Sequence, residues 1–281
     1  MPWTAPVAAL LFVCAASAAD RATPDALAIV QRSIAVDQSN WERAKDYTFH
    51  QHVEVRDLDA RSGAKAVHSD TYDVTILYGR PYERRIQRDG KPLSERQARK
   101  EQDRLDEALA ERRKESQDVN GRRRREYEER RRKQRLFLKE LPAALDFRLI
   151  GEEAVDGHPA WVLSFEPKPS YRPHNRMTSF LPKVHGRAWI DKAGCHWVRL
   201  NAETTGTISF GLFLARLGPG AKMMFLQKRV NDEIWLPSQV NVQGEARLAL
   251  VKKERAAVDI TYSNYRKFQT DSRIVTQGQA P

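Results

Sequence analysis

The stretch 146–268 alternates apolar and polar residues with a period of two over most of its length, and turn residues interrupt it at intervals. This pattern is typical of antiparallel strands with one buried and one wetter face. In 197–203, for example, Val198, Leu200 and Ala202 share one face, and polar residues occupy the other. The stretch therefore predicts a sheet of about seven strands.

The same alternation identifies candidate core residues. Trp161, Leu163 and Phe165 share one face of the segment 160–166. We expect these three residues, together with Ile190 and Val198, to be buried in a single domain over 20–268.

The segment before this stretch predicts a helix followed by a meander. Apolar residues recur with helical spacing between Asp25 and Ala44. Alternating segments follow at 47–56, 67–78 and 82–88, and Asp89-Gly90 after the third is a tight-turn signal. We expect three antiparallel strands here.

A charged helical insertion is predicted at 94–141. Its start, Ser94-Glu-Arg-Gln97, is a capping box, in which the Ser94 and Gln97 side chains satisfy each other's backbone amides. We expect Gly121 to divide the insertion into two helices and Pro142 to end the second. Residues 80–139 hold 22 lysines and arginines against 13 acidic residues, a net charge of +9 in a chain of +11.

The arginines of this insertion have two interpretations. They could form ion pairs with glutamates one turn away on solvated helices, or they could bind anionic lipid or another envelope polyanion. Nucleic acid is disfavoured, because few aromatic residues accompany the arginines to stack on bases. The candidate anionic-surface residues are Arg122, Arg123, Arg124, Arg125, Arg130, Arg131 and Arg132.

The N-terminus resembles a secretory signal peptide. Residues 1–19 are apolar and rich in small residues, and Ser17-Ala18-Ala19 offers a cleavage site before Asp20. The apolar run is too short to span a bilayer. We therefore expect a periplasmic or secreted protein. At the other end of the chain, we expect a polar tail at 269–281. Cleavage would leave Cys195 as the only cysteine, without a disulfide partner.

The most apolar stretch of the expected mature chain is 209–226, interrupted by Gly218-Pro219-Gly220. It could pack as a core segment or hairpin, or it could line a site for an apolar ligand, since methionine adapts to varied apolar shapes. The candidate ligand-binding residues are Phe210, Leu212, Phe213, Leu214, Met223, Met224 and Phe225.

No catalytic motif stands out. His50 and His52 share a face of a predicted strand, but no third metal ligand is indicated. Phosphate-loop, dinucleotide and nucleophile-elbow motifs are absent. A lone Cys195 between Gly194 and His196 is more typical of a packed residue than of a nucleophile. We expect no catalysis, no cofactor and no metal.

Several strand and turn motifs carry a resemblance to a known family. They are GEEAVDGHPAWVL at 151–163, GRAWID at 186–191, VRL at 198–200 and WLP at 235–237. With the signal peptide and the N-terminal helix, they resemble the outer-membrane lipoprotein-sorting carrier (LolA-like) superfamily, which includes periplasmic regulators of anti-sigma factors. The resemblance is best over about 147–266 and implies a strongly curved, half-barrel antiparallel sheet with an apolar cavity for acyl chains. The Arg-rich pair at 94–141 departs from the carriers. We therefore expect an α+β fold, mainly antiparallel β, with an N-terminal helix and an inserted Arg-rich helical pair.

Three functional hypotheses follow. The first is an envelope carrier or sensor of a lipid, a lipoprotein or another apolar ligand. The second is a protein-interaction module that regulates another envelope protein without transporting a ligand. The third is a secreted enzyme of a type that the motifs do not identify. Possible partners are an acyl chain, an anionic membrane surface or an envelope protein.

Overall fold

The computed structural model describes residues 24–58, 65–115, 117–210, 215–248 and 254–267. The predicted signal peptide at 1–19 and polar tail at 269–281 lie outside these residues. The candidate ligand-binding residues Leu212, Phe213 and Leu214 also lie outside them.

The strands form one antiparallel sheet. The predicted meander is present as β1 to β3, and a two-residue strand β4 follows it. The N-terminal strands are β1 (Tyr47–Asp57), β2 (Lys65–Leu77), β3 (Arg80–Arg88) and β4 (Lys91–Pro92). The middle strands are β5 (Leu145–Val155), β6 (His158–Pro167), β7 (Val184–Asp191), β8 (Trp197–Thr204) and the hairpin β9 (Ile208–Phe210) and β10 (Ala215–Leu217). The last strands are β11 (Lys222–Val230), β12 (Ile234–Leu248) and β13 (Glu254–Lys267).

The spatial order of the sheet is β4-β3-β2-β1-β13-β12-β11-β8-β7-β6-β5, and the hairpin β9–β10 attaches to β12. The two outer strands, β4 and β5, do not pair with each other, so the sheet is open. Register shifts mark bulges, for example between Leu226 and Gln227 in β11, and bulges increase the local twist and bend. The predicted α+β class, with an open curved antiparallel sheet and accessory helices, is confirmed.

Helix α1 (Ala26–Ala44) crosses half of this sheet. The Asp25 carboxylate caps its N-terminus by accepting from the amides of Leu27 and Ala28. A 19-residue helix is about 28 Å long, and the six strands from β5 to β12 span about 24 Å. Ile29 packs over β6 and β7, whereas Asn40, near the other end, exchanges two hydrogen bonds with the Trp235 backbone of β12.

The insertion forms two long helices, α2 (Glu95–Lys114) and α3 (Gln117–Gln134). The capping box is present, with the Gln97 side-chain oxygen accepting from the Ser94 amide at 3.1 Å. The predicted break at Gly121 is wrong, because the chain leaves the helix at Glu115, whose carboxylate pairs with Arg80 at 2.9 Å.

The predicted stop at Pro142 is also wrong. Helix α3 ends at Gln134, a 3₁₀ turn over Leu136–Glu140 follows, and Pro142 lies in the first turn of a short helix α4 (Leu141–Ala144). Proline is compatible with the first turn of a helix, where its missing N–H would have had no partner.

Buried clusters lie on both faces of the strands β5 to β8: Leu163 and Ile190 pack beneath α1, whereas Val198 lies in a separate cluster on the opposite face. A register shift beside Val198 in the pairing of β7 with β8 separates it from the strand face that the sequence predicted it to share with Leu200 and Ala202. Leu163, Ile190 and Val198 are fully buried, and Phe165 is 4% exposed. The prediction that they form the core is confirmed for these four. Trp161 is only half-buried, with the Lys192 ammonium 5.8 Å from its ring centroid.

Candidate functional site

Cross-strand register aligns apolar residues in two rows on the face of the sheet that carries α1, here called the helix face. Directly paired residues point to the same side of a sheet. From β1 to β8, the first row is Val53, Ile260, Val240, Phe225 and Leu200. Over the same strands, the second row is Val55, Val258, Val242, Met223 and Ala202. Both rows continue through β7 and β6 into β5.

The two ends of the rows differ in burial. In β6 and β7, Leu163 and Ala188 of the first row are fully buried, because α1 and its neighbours cover them. In β1, β13, β12 and β11 the row members are only half-buried. We call these eight residues the apolar cleft: Val53, Val55, Val258, Ile260, Val240, Val242, Met223 and Phe225. A contiguous, incompletely covered apolar surface is typical of a ligand or protein contact site.

Helix α2 lies beside the cleft on the β3 side. One of its faces carries Glu101, Leu105, Ala108 and Arg112, which are buried or half-buried, while most of its other side chains are exposed. The Arg112 guanidinium donates to the backbone carbonyls at the β2–β3 turn, including that of Leu77 at 2.9 Å. Polar contacts therefore contribute to holding this helix against β2 and β3, next to the strands of the cleft.

At β2 and β3 the first row ends in a cluster of charged residues. Asp70 pairs with Val53 in register, and Arg88 pairs with Asp70. Arg85 Nη1 lies 3.3 Å from both Asp70 oxygens, and Arg85 Nη2 lies 3.6 Å from Glu101 of α2. Arg104 Nη1 also donates to Glu101, at 3.0 Å. We call Asp70, Arg85, Arg88, Glu101 and Arg104 the arginine cluster.

The electrostatics of the cluster follow from these distances. Burial alone would raise the pKa of the Asp70 carboxyl, but the hydrogen bonds and charges of Arg85 and Arg88 outweigh burial and hold this pKa below its ordinary value. The hydroxyl of Tyr72 lies 3.3 Å from Asp70, and burial followed by the Asp70 charge raises the Tyr72 pKa. Asp70 is therefore an anion and Tyr72 a neutral phenol at neutral pH.

Only part of the predicted ligand-binding set lies in the cleft. Met223 and Phe225 are members of its two rows. Met224 points to the opposite face, where it pairs with Asn201 and Asn241. Of Phe210, only the backbone is described.

The other six members of the cleft were missed by the sequence reasoning. The sequence predicted that residues such as Val258 and Ile260 share a strand face, but it contained no sign that α1 leaves this part of the face uncovered. The signal that could have suggested them is the coincidence of valine or isoleucine at alternate positions in 53–55, 240–242 and 258–260.

The Arg-rich segment lies on α3, where no described side chain is buried. Arg122 and Arg124 each approach a glutamate one turn away, at 4.0 and 3.9 Å, and Arg123 pairs with Glu111 and Glu115. No ion pair among the described residues involves three further exposed arginines of this helix. They are Arg125, Arg130 and Arg132. The side chain of Arg131 lies outside the described part of the chain.

The histidines and the cysteine have structural partners. His52 Nδ1 lies 2.9 Å from the Thr71 hydroxyl, and His50 Nε2 lies 3.5 Å from Asp73. Among the described residues, no group of three or more side chains is arranged to hold a metal ion. Cys195 is 2% exposed, and burial raises the pKa of its thiol, which disfavours the reactive thiolate.

In the part of the chain that the structure describes, no helix combines the length and apolarity that a membrane span requires.

No known protein-family model and no curated protein matches the sequence. Solved structures do match it. A DUF1329 family protein from Desulfovibrio piger is 13% identical over 89% of this chain and 96% of its own, with a TM-score of 0.35. An outer membrane lipoprotein-sorting protein domain from Vibrio parahaemolyticus is 10% identical over 87% and 95%, with a TM-score of 0.36. A LolA superfamily protein from Nitrosomonas europaea is 12% identical over 88% and 94%, with a TM-score of 0.30.

The second and third of these structures carry names from the superfamily that the sequence motifs resemble. The low identities and TM-scores limit this likeness to the general course of the chain.

Proposed function

We propose that this protein is an exported envelope protein that binds an apolar ligand, such as the acyl chain of a lipid or lipoprotein, in the apolar cleft. In this role it would act as a carrier or a sensor rather than as an enzyme. The observation that carries the proposal is the half-buried state of two apolar rows on the same sheet face that is fully buried under α1.

The chemistry of the cleft fits a flexible hydrocarbon chain. Its eight members are valine, isoleucine, methionine and phenylalanine, which offer contacts without hydrogen-bonding groups. Burying ten methylene groups contributes about 8 kcal/mol before the ordering costs of binding. Even after several kcal/mol are subtracted for those costs, the binding free energy of a long acyl chain would remain favourable.

Export is supported by the sequence at 1–19, whose apolar run ends in a small-residue cleavage site before Asp20. An exported protein meets lipids and lipoproteins of the envelope, and a cleft of this kind would shield their acyl chains from water. N-terminal sequencing of protein from an envelope fraction would show the mature start near Asp20.

A saturable binding assay tests the cleft. We expect a fluorescent fatty-acid probe to bind the mature protein at micromolar concentration, and Ile260→Glu to weaken binding at least tenfold, because a carboxylate in the cleft must be desolvated under the chain. The matched control is Thr261→Glu, which adds the same charge at the next residue, exposed on the opposite face. Circular dichroism would check that both variants are folded.

Absence of saturable binding to the wild type would refute the proposal. It would favour the alternative, in which the cleft contacts a segment of another envelope protein. Equal weakening by Ile260→Glu and Thr261→Glu would show that the probe binds elsewhere. Mass spectrometry of lipids extracted from native protein would identify the natural ligand class.

We also propose that α3 presents an anion-binding surface. The supporting observation is that Arg125, Arg130 and Arg132 are exposed cations without an ion-pair partner among the described residues. The Arg122 and Arg124 side chains also remain more than half exposed, and their contacts with glutamates are long. Exposed arginines add to attraction by anionic lipid headgroups. Binding to anionic vesicles is the measurement that tests this surface.

A further inference from the structure

The arginine cluster lies where the apolar floor of the cleft ends. Along the first row, Ile260 is followed by Val53, then by Asp70 and finally by Arg88. A ligand lying along this row would therefore pass from aliphatic side chains directly to charged ones. The cluster holds three guanidinium groups and two carboxylates, so it has an excess of one positive charge.

The two carboxylates of the cluster are nearly buried, whereas two of its three guanidinium groups are exposed to solvent. The side chains of Asp70 and Glu101 are 13% and 10% exposed, whereas those of Arg88 and Arg104 are 48% and 52% exposed. Arg85, at 23%, bridges the two carboxylates. The exposed rim of the cluster is therefore positive.

Arg88 and Arg104 also have N–H donors that make no hydrogen bond within the described part of the chain. Arg88 contacts Asp70 through Nε at 3.3 Å, and its two terminal nitrogens have no hydrogen-bond partner among the described residues. Arg104 uses only Nη1, which donates to Glu101. A guanidinium carries five N–H donors in a planar fork that suits carboxylate and phosphate oxygens. Each of these arginines can accept a second anion without releasing the first.

We propose that the ligand of the cleft is an amphiphile with an anionic head, a carboxylate or a phosphate, and that Arg88 and Arg104 bind this head. The inference rests on the proposed function and adds the orientation and the chemical class of the ligand. The hydrocarbon chain lies along the two rows, and the head lies between β3 and α2.

A purely structural role makes a different prediction. If the cluster only fastens α2 to β2 and β3, the bridge from Asp70 through Arg85 to Glu101 is sufficient for that purpose. Arg88 and Arg104 would then contribute nothing to the choice of ligand. The two roles can therefore be separated by the preference for charged over neutral heads.

The experiment measures displacement of a neutral fluorescent probe by three sixteen-carbon ligands: palmitate, hexadecyl phosphate and hexadecanol. We expect the wild type to bind at least one anionic ligand about tenfold more tightly than the alcohol, as one or two charge-assisted hydrogen bonds would give. The double variant R88Q/R104Q should lose this preference and bind the two anionic ligands about as tightly as hexadecanol. The anion that shows the larger preference distinguishes a carboxylate from a phosphate head.

The matched control is R96Q/R99Q, which removes two exposed arginines of α2 that have no ion pair among the described residues. It should keep the full preference. Because the measured quantity is a ratio of affinities in one protein sample, it does not depend on the fraction of the variant that is folded.

The outcomes separate the two proposals. Equal affinity of the wild type for the alcohol and both anions would overturn the head-group site but leave the apolar cleft standing. A preference that R96Q/R99Q reduces as much as R88Q/R104Q does would also overturn it, since the effect would then come from the overall positive charge around the cleft. Failure of every ligand to displace the probe would refute the proposed function itself.

Discussion

Two isoleucines on the same face of the sheet should differ strongly in their contribution to stability. Ile190 of β7 is fully buried beneath α1, whereas Ile260 of β13 is half-buried in the apolar cleft. Truncating a fully buried isoleucine to alanine removes its transfer free energy and leaves a cavity, so Ile190→Ala should lower the free energy of unfolding by about 2–5 kcal/mol. At Ile260 only part of the side chain leaves water and no closed cavity remains, so Ile260→Ala should cost about 1 kcal/mol.

Urea denaturation of the mature protein, followed by tryptophan fluorescence, measures both values. The slope of the free energy with urea should be the same in both variants, so that the shift in midpoint reports stability alone. Equal losses of about 3 kcal/mol would refute the reasoning, because they would mean that the helix face is covered at β13 as it is at β7. A saturating ligand should increase the difference in unfolding free energy between Ile260→Ala and the wild type, since the ligand would then bury Ile260.

Two further predictions concern charge. The carboxyl of Asp70 has a pKa held below its ordinary value, so it adds stability above about pH 4 that is lost as the pH falls through its folded-state pKa. Asp70→Asn should therefore lose about 1.5–3 kcal/mol of unfolding free energy at pH 7, and the difference from the wild type should shrink below pH 4; a pH-independent difference would contradict this account. Replacing Arg125, Arg130 and Arg132 with glutamine should leave the melting temperature within about 2 °C, because exposed unpaired side chains contribute little to stability, and should weaken sedimentation with anionic vesicles most at low salt. The matched control removes three exposed cations of the sheet: Arg148, Arg187 and Lys222. If the control weakens vesicle binding equally, α3 is not a distinct surface.

The strands could be predicted from the sequence because their signal is local. Alternation over 256–266 requires no knowledge of the partner strand, and the structure has a strand over Glu254–Lys267. The order of the strands in the sheet, by contrast, depends on contacts between segments that are distant in the sequence. Strand β13 pairs with β1, about two hundred residues earlier in the chain, through contacts such as Ile260 with Val53. Nothing in either segment specifies that register.

The break between α2 and α3 shows a second limit. Glycine inside a helix costs about 1 kcal/mol relative to alanine, which made Gly121 the natural place for a break. The structure keeps Gly121 helical and breaks the chain at Glu115, where the carboxylate pairs with Arg80 and Arg123. A tertiary ion-pair contact accompanies a break where propensity predicted continuation, and such contacts are not visible in sequence.

The site was predictable only in part for the same reason. The apolar run 209–226 directed attention to Met223 and Phe225, which lie in the cleft. The run could not show that Met224 faces the other way or that valines from three distant strands complete the surface. Whether an apolar strand face is core or binding surface depends on what covers it, and that is decided by the position of α1.

The high charge of the insertion is related to the openness of the cleft. A helix that covered the rows would need an apolar stripe, as α1 has in Ile29 and Val30. Helix α2 instead has Glu101 as its one buried residue, and polar contacts through Arg85 and Arg112 link it to the sheet. Such a helix can be fixed at the edge of the sheet without competing with a ligand for the apolar floor. Part of the insertion's charge therefore fixes α2 beside the cleft, and the arginines of α3 that have no ion pair among the described residues are the ones for which we propose a role in anion binding.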